Sequence, residues 1–191
     1  MCARARLDDP RRSGWFYVDL FHLAAARARQ RARVLCLGAG GAVSVRQFAE
    51  AYPGVAIDLV DVDPCVFALA REWYGLGEIP RVTAHVADAF AFVEQAPERA
   101  WDVVLVDAYD AREAPRSVVS RAFFQHVRRV LRPGGAMAFN AIGALAGDGP
   151  VRRVERLARI EFEDVRLVPV LDPDEKFSPA SVRNVVVLGS A

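Results

Sequence analysis

At 191 residues the chain is long enough to close one hydrophobic core and short for two, so a single domain over residues 1–191 is expected. Hydrophobic residues make up 53% and charged residues 26%, the makeup of an ordinary soluble globular protein. A net charge of +1 from 25 basic and 24 acidic residues leaves no global field to recruit nucleic acid or an anionic membrane, and neither is expected as a partner. Lys176 is the only lysine, read as the codon bias of a GC-rich, bacterial genome. Cys2, Cys36 and Cys65 show no CxxC or Cys/His spacing, which argues against a disulfide framework and against zinc. Residues 1–14 lack the apolar stretch of a secretion signal and are expected to be poorly ordered. No run approaches the roughly 18 apolar residues of a membrane span. The expected location is the cytoplasm.

In chain order, residues 15–30 predict an amphipathic helix with Phe16, Leu20, Leu23 and Ala24 on its buried face. "ARVLCLG" predicts the first strand, and "AVSVRQFAEAYPG" a helix closed by Pro53 and Gly54. "AIDLVDVD" predicts a second strand, with Pro64 opening the next helix at its first turn. "RVTAHVAD", "AFAFVEQ" and "WDVVLVDAYD" read as strand, short helix and acidic-ended strand. "SVVSRAFFQHVRRVL" is a helix stopped by "RPGG", "AMAFNAIG" a fifth strand, and residues 150–160 a further helix. "DVRLVPVL" and "RNVVVLGS" close the chain as two strands without a helix between them.

Apolar strands alternating with helices predict an α/β fold: a Rossmann-like three-layer αβα sandwich around a mostly parallel seven-stranded sheet, antiparallel at one edge. Such sheets bind ligands beyond the carboxyl ends of their strands. The residues to watch there are Gly38, Ala39, Gly40, Gly41, Asp61, Val62, Asp88, Ala89 and Asp107 to Asp110.

The stretch "VLCLGAGGAVS" lets the backbone turn tightly below a helix with unpaired N–H groups. Read as a dinucleotide fingerprint it needs a third glycine at position 43, where Val43 stands. Asp61, about 20 residues beyond the glycines, sits where a carboxylate accepts hydrogen bonds from ribose hydroxyls. Asp63 reads as the cap of the following helix.

The order "VLCLGAGG", "DLVDVDP", "VADAFAFV", "WDVVLVDAYD" and "LRPGG" resembles the class I S-adenosylmethionine-dependent methyltransferase fold, and within it the spermidine synthase (polyamine aminopropyltransferase) family. The resemblance implies that Gly38 to Gly40 pass under the methionine-derived part of S-adenosylmethionine or its decarboxylated form, with Gly41 also in the cofactor site. It implies Asp61 with Val62 at the ribose and Asp88 with Ala89 at the adenine. It also implies Asp107 and Asp110 as the pair that handles an amine. Tyr17 and His22 resemble a tyrosine and a histidine of the family, with a spacing one residue shorter. The family's small N-terminal β domain has no counterpart in residues 1–14, and "AREAPRS" stands where the family carries a proline- and glycine-containing gate.

A sulfonium is already electrophilic, so the protein has to align a nucleophile and exclude water. Asp107 is expected to accept the proton of an incoming ammonium, Asp110 and Glu113 to add cation affinity, and Tyr109 to orient the amine or wall the pocket. Arg112 and Arg116 in the following loop oppose a polycation. A small-molecule acceptor is therefore expected, an amine or an acidic or zwitterionic molecule, with no metal. Three readings stay open: an aminopropyl or related transferase, a methyltransferase of a small molecule on the same fold, and a noncatalytic nucleoside-binding protein. Trp15, Phe16 and Phe21 exceed what one helix face needs, and either roof the pocket or contact a second copy in a homodimer.

Overall fold

The computed structural model describes residues 13–109, 113–171, 174 and 176–191. Seven strands form one sheet: β1 (Arg33–Leu37), β2 (Ala56–Asp61), β3 (Val82–Val86), β4 (Trp101–Val106), β5 (Leu131–Gly143), β6 (Asp164–Pro169) and β7 (Arg183–Ser190). Their order is β3-β2-β1-β4-β5-β7-β6. β1 to β5 pair in parallel, and β7 runs antiparallel to both β5 and β6. The antiparallel pairing expected at one edge is present, with β7 second from that edge and β6 outermost.

The chain builds outward from β1 to β2 and β3, then returns to lay β4 on the other side of β1. That reversal opens a crevice between the carboxyl ends of β1 and β4. β4 is buried along its whole length, as expected of a central parallel strand covered on both faces.

Helices α1 (Phe16–Leu20), α2 (His22–Arg27), α3 (Val43–Ala51) and α4 (Pro64–Tyr74) cover one face. Phe21, Phe48 and Phe67 are buried there against Val103, Leu105 and Ala138. Helices α5 (Ala89–Gln95), α6 (Arg121–Val130) and α7 (Pro150–Glu161) cover the other. The α6 residues Phe123, Phe124, Val127 and Val130 are fully buried, and each such side chain contributes about 1.5–3 kcal/mol by leaving water. Local chemistry sets the helix starts. Asp63 caps α4 by accepting from Cys65 N at 2.8 Å, with Pro64 in the first turn. Ser120 caps α6 by accepting from Phe123 N at 3.2 Å.

Four expectations are corrected. The single helix over 15–30 is two short ones that meet at Phe21. Its buried face is Val18, Phe21, Ala24, Ala25 and Ala28, while Phe16 is 49% exposed and Leu23 36%. Both stripes satisfy helical spacing, and the alanine stripe lets α2 lie close on β4, β5 and β7. Residues 117–119 are not helical, because the Ser120 cap starts α6 at Arg121. "RPGG" ends α6 but lies within β5, where the β4–β5 register shifts between Trp101 and Val103.

Candidate functional site

The glycine turn leaves β1 at the crevice. Gly38 has φ +97° and its N–H donates to Val60 O at 2.8 Å. A Cβ on Gly38 would stand 2.2 Å from Asp107 O, so only glycine lets the turn pass beneath the end of β4. Asp107 N in turn donates to Leu37 O at 2.8 Å, which binds the two strand ends together. The turn finishes at Ala42 in the left-handed region, and α3 begins without a side-chain cap. Val43 and Ser44 of its first turn therefore line the cleft with Gly38, Gly40, Gly41, Trp15, Tyr17 and Asp107.

Asp107 is the chemical centre of this cleft. The pleat turns residue 107 to the same sheet face as Val103 and Leu105, toward α1. Tyr17 of α1 donates its hydroxyl to Asp107 Oδ2 at 3.0 Å. The register Val106↔Phe139 sets residue 107 beside residue 140, and Asn140 Nδ2 donates to Asp107 Oδ1 at 2.9 Å. Burial pushes the Asp107 carboxyl above its ordinary value, opposed by the bonds from Asn140 and Tyr17. Burial, and then the adjacent Asp107 charge, holds the Tyr17 hydroxyl well above the tyrosine range, so it stays a neutral donor. Tyr109 is raised by burial too. Its hydroxyl donates to Asn140 O at 2.8 Å and accepts from Ile142 N at 3.0 Å, so Tyr109 holds β5 in place.

On the β2 side, Asp61 accepts from Ala39 N through Oδ2 at 2.8 Å and from Asp63 N through Oδ1 at 3.0 Å. Its carboxylate faces the glycine turn with lone pairs left for a further donor. Val62 beside it is 70% exposed, an apolar surface open to a flat ligand. Asp88 caps α5 by accepting from Ala91 N at 3.0 Å, with Ala89 as the first helical residue. Gly38, Ala39, Gly40, Gly41, Asp107 and Tyr17 are thus brought to one cleft, with Asp61 bonded to its glycine turn at Ala39 and with Val62, Asp88 and Ala89 along the neighbouring strand ends.

His22 is placed elsewhere. Its ring stacks on Phe48 with centroids 4.5 Å apart, and its Nδ1 lies 2.9 Å from Tyr52 Oη. Burial lowers its pKa, which suits a neutral imidazole in that aromatic cluster. Asp110 and Arg112 fall outside the described residues, and Arg116 is exposed. Trp15 joins the cleft, Phe21 joins the core and Phe16 stays on the surface.

Two contributors escaped the sequence reading. Ser44 lies one turn into a helix whose start carries no cap signature. Asn140 did leave a signal: it is the one polar residue inside the apolar run "AMAFNAIG", and a buried amide in a strand needs partners.

The spermine/spermidine synthase domain model matches residues 17–166, a span that includes the glycine turn, Asp61, Asp107 and Asn140. The chain belongs to the spermine/spermidine synthase family. It is 31% identical over 158 residues to the polyamine aminopropyltransferase of Prochlorococcus marinus, covering 80% of this chain and 52% of that protein. It is 31% identical over 125 residues to spermidine synthase 1 of Pisum sativum, covering 63% of this chain and 37% of that one. The crystal structure of a probable spermidine synthase from Corynebacterium glutamicum superposes with a TM-score of 0.81 at 27% identity, over 96% of this chain and 67% of the other. The chain thus spans about half the length, or less, of these curated relatives of the spermine/spermidine synthase family. No described helix is long and apolar enough to cross a membrane.

Proposed function

We propose that this chain is a single-domain transferase that moves an aminopropyl group from decarboxylated S-adenosylmethionine to a small amine. One observation carries the reading: a part-buried carboxylate, Asp107, held on both oxygens beside a cofactor-type glycine turn. Membership of the spermine/spermidine synthase family and the likeness to a polyamine aminopropyltransferase support it.

The residues present fit an S-adenosyl donor. The Gly38 turn is a cradle that a Cβ would fill. Asp61 offers carboxylate lone pairs to ribose hydroxyls, and the exposed Val62 and the start of α5 offer an apolar edge and backbone groups to a base. When bound, the donor supplies an electrophilic carbon attached to a sulfonium and a neutral thioether as leaving group.

The chain supplies alignment and a proton acceptor. An ammonium has no lone pair, so Asp107 has to take its proton before attack. Tyr17 and Asn140 fix the carboxylate where it can do so, and part-burial raises its basicity. Asp110, four residues after the end of β4 in the sequence, is proposed to hold the amine, and Tyr109 to wall its approach while anchoring β5. His22 is proposed to shape the donor pocket from outside the cleft, through its stack on Phe48 of α3. The setting proposed is the cytoplasm.

Calorimetric binding of S-adenosylmethionine, its decarboxylated form and methylthioadenosine to the purified chain tests the reading. A preference for the decarboxylated donor, and release of methylthioadenosine on adding a diamine, is the expected result. A preference for the intact donor overturns aminopropyl transfer in favour of methyl transfer. Binding of none of the three overturns the donor site itself.

A further inference from the structure

The proton transfer just proposed requires Asp107 to change charge, from carboxylate to carboxylic acid, without leaving its place. Its partners are asymmetric in what they can do about that. Tyr17 stays a neutral phenol on Oδ2. Asn140 is 2% exposed and donates Nδ2 to Asp107 Oδ1, yet its own Oδ1 is buried with no hydrogen-bond partner among the described residues. A buried acceptor left unpaired loses its hydration without compensation, and such groups are rare enough to call for an explanation.

The shape of an amide provides one. Its donor and acceptor ends are almost interchangeable in space, related by a half-turn about the last side-chain torsion. That half-turn puts the unpaired Oδ1 where Nδ2 now stands, opposite Asp107 Oδ1, and carries Nδ2 to the partnerless place, so one end of the amide is unpaired in either state and the turn gives up no further bond. In that place it has a partner only if Asp107 carries a proton. We propose that Asn140 is a two-state positioning residue: it donates Nδ2 to the Asp107 carboxylate and, after a half-turn of its amide, accepts through Oδ1 from the Asp107 carboxylic acid.

The backbone is built for a side chain that turns on a fixed base. Tyr109 grips β5 on both sides of residue 141, at Asn140 O and Ile142 N. Asn140 also sits within the β5–β7 ladder opposite Val186. Among the described residues, the titratable groups facing Asp107 are Tyr17 from α1, Tyr109 from the segment after β4 and Cys36 from β1. Burial pushes all three up, Cys36 to about 12, so each stays neutral while Asp107 titrates. Among the described residues, the proton on Asp107 is then the one local charge change for Asn140 to answer. No other group is oxidised, reduced or cleaved: one proton arrives, and one hydrogen bond reverses its direction.

The inference rests on Asp107 being the proton acceptor, but its test does not need turnover. The titration midpoint of Asp107 is first located by carboxyl carbon NMR on the intact chain, the resonance being assigned by its loss in Asp107→Asn. Neutron diffraction of the unsubstituted, deuterium-exchanged protein above and below that midpoint then reads the amide directly. The expected result is Nδ2 toward Asp107 on the alkaline side and Oδ1 toward it on the acid side. The same face on both sides overturns the proposal. Asn140→Leu gives the functional readout: kcat with a diamine falls about tenfold or more, the factor for one hydrogen bond of about 1.4 kcal/mol, while methylthioadenosine affinity stays within about twofold. An unchanged kcat overturns the role in turnover. Absence of turnover in the unsubstituted chain overturns aminopropyl transfer instead, and leaves the diffraction result to decide Asn140.

Discussion

Asp107 carries most of the chemistry proposed for this chain, and its surroundings give its behaviour a sign. Burial raises its pKa above 3.8, so kcat/KM is expected to fall as pH drops through that raised value, where the base becomes protonated. Tyr17→Phe removes a bond that favours the charged form, and the acid limb of the pH–rate profile should therefore move to higher pH. Asp107→Asn keeps the shape and removes the base: kcat is expected to fall by about 10²–10⁴-fold, with calorimetric affinity for methylthioadenosine retained. Asp61→Ala should do the reverse. It removes the carboxylate that faces the glycine turn, and methylthioadenosine binding is expected to weaken about tenfold or more, as for loss of a hydrogen bond to a charged group.

Among the elements, the crossing of the β1–α3 turn under the end of β4 is the tightest constraint. Gly38→Ala drives a Cβ into the Asp107 carbonyl at a positive φ, so the strand ends have to separate. The expected outcome is loss of methylthioadenosine binding together with a lower melting temperature, both measurable on one preparation. Helix α6 gives a milder case. Ser120 satisfies a first-turn N–H from outside the candidate cleft, and Ser120→Ala is expected to cost about 1 kcal/mol in urea denaturation, with Ser120→Asp restoring it. The N-terminal helices show how far periodicity reaches at this scale. Residues 15–28 hold two stripes with helical spacing, one through Phe16, Leu20 and Leu23 and one through Val18, Phe21, Ala25 and Ala28, and the sheet buries the second, whose alanines allow a close approach while Phe21 fills the core.

At the scale of the whole molecule, stability against acid depends on carboxylates with opposed signs. Asp58 lies near the other end of the sheet, where burial would raise its pKa, but bonds from His85, Trp101 and Arg33 hold it below 3.8. A carboxylate with a depressed folded-state pKa contributes stability that is present above its unfolded value and lost as pH falls through the folded one. Asp58→Asn should thus destabilise the chain by about 2 kcal/mol at pH 7, a difference that shrinks as pH drops below 3.8 and is measurable by denaturation across pH. Asp107 acts the other way. Its folded state keeps a proton that the unfolded chain has released, so its contribution to stability declines as pH rises from 3.8 through the raised value.

The sequence by itself determined the layered α/β architecture, because alternation of apolar strands with amphipathic helices has few packed solutions and right-handed crossovers select among them. It also determined the ligand end of the sheet, since glycines and carboxylates cluster at successive strand ends, as Gly38, Asp61, Asp88 and Asp107 do. What it did not contain was the partner list of those carboxylates. Tyr17 lies 90 residues from Asp107 along the chain and Asn140 lies 33 residues away. Their meeting depends on where α1 docks and on the β4–β5 register, which a bulge between Trp101 and Val103 resets. Local spacing encodes which face a residue takes within its own element. Contact between elements is decided by how the two faces of one sheet are filled, and that is why the tertiary structure alone assigned Asn140 to Asp107 and His22 to Phe48 and Tyr52.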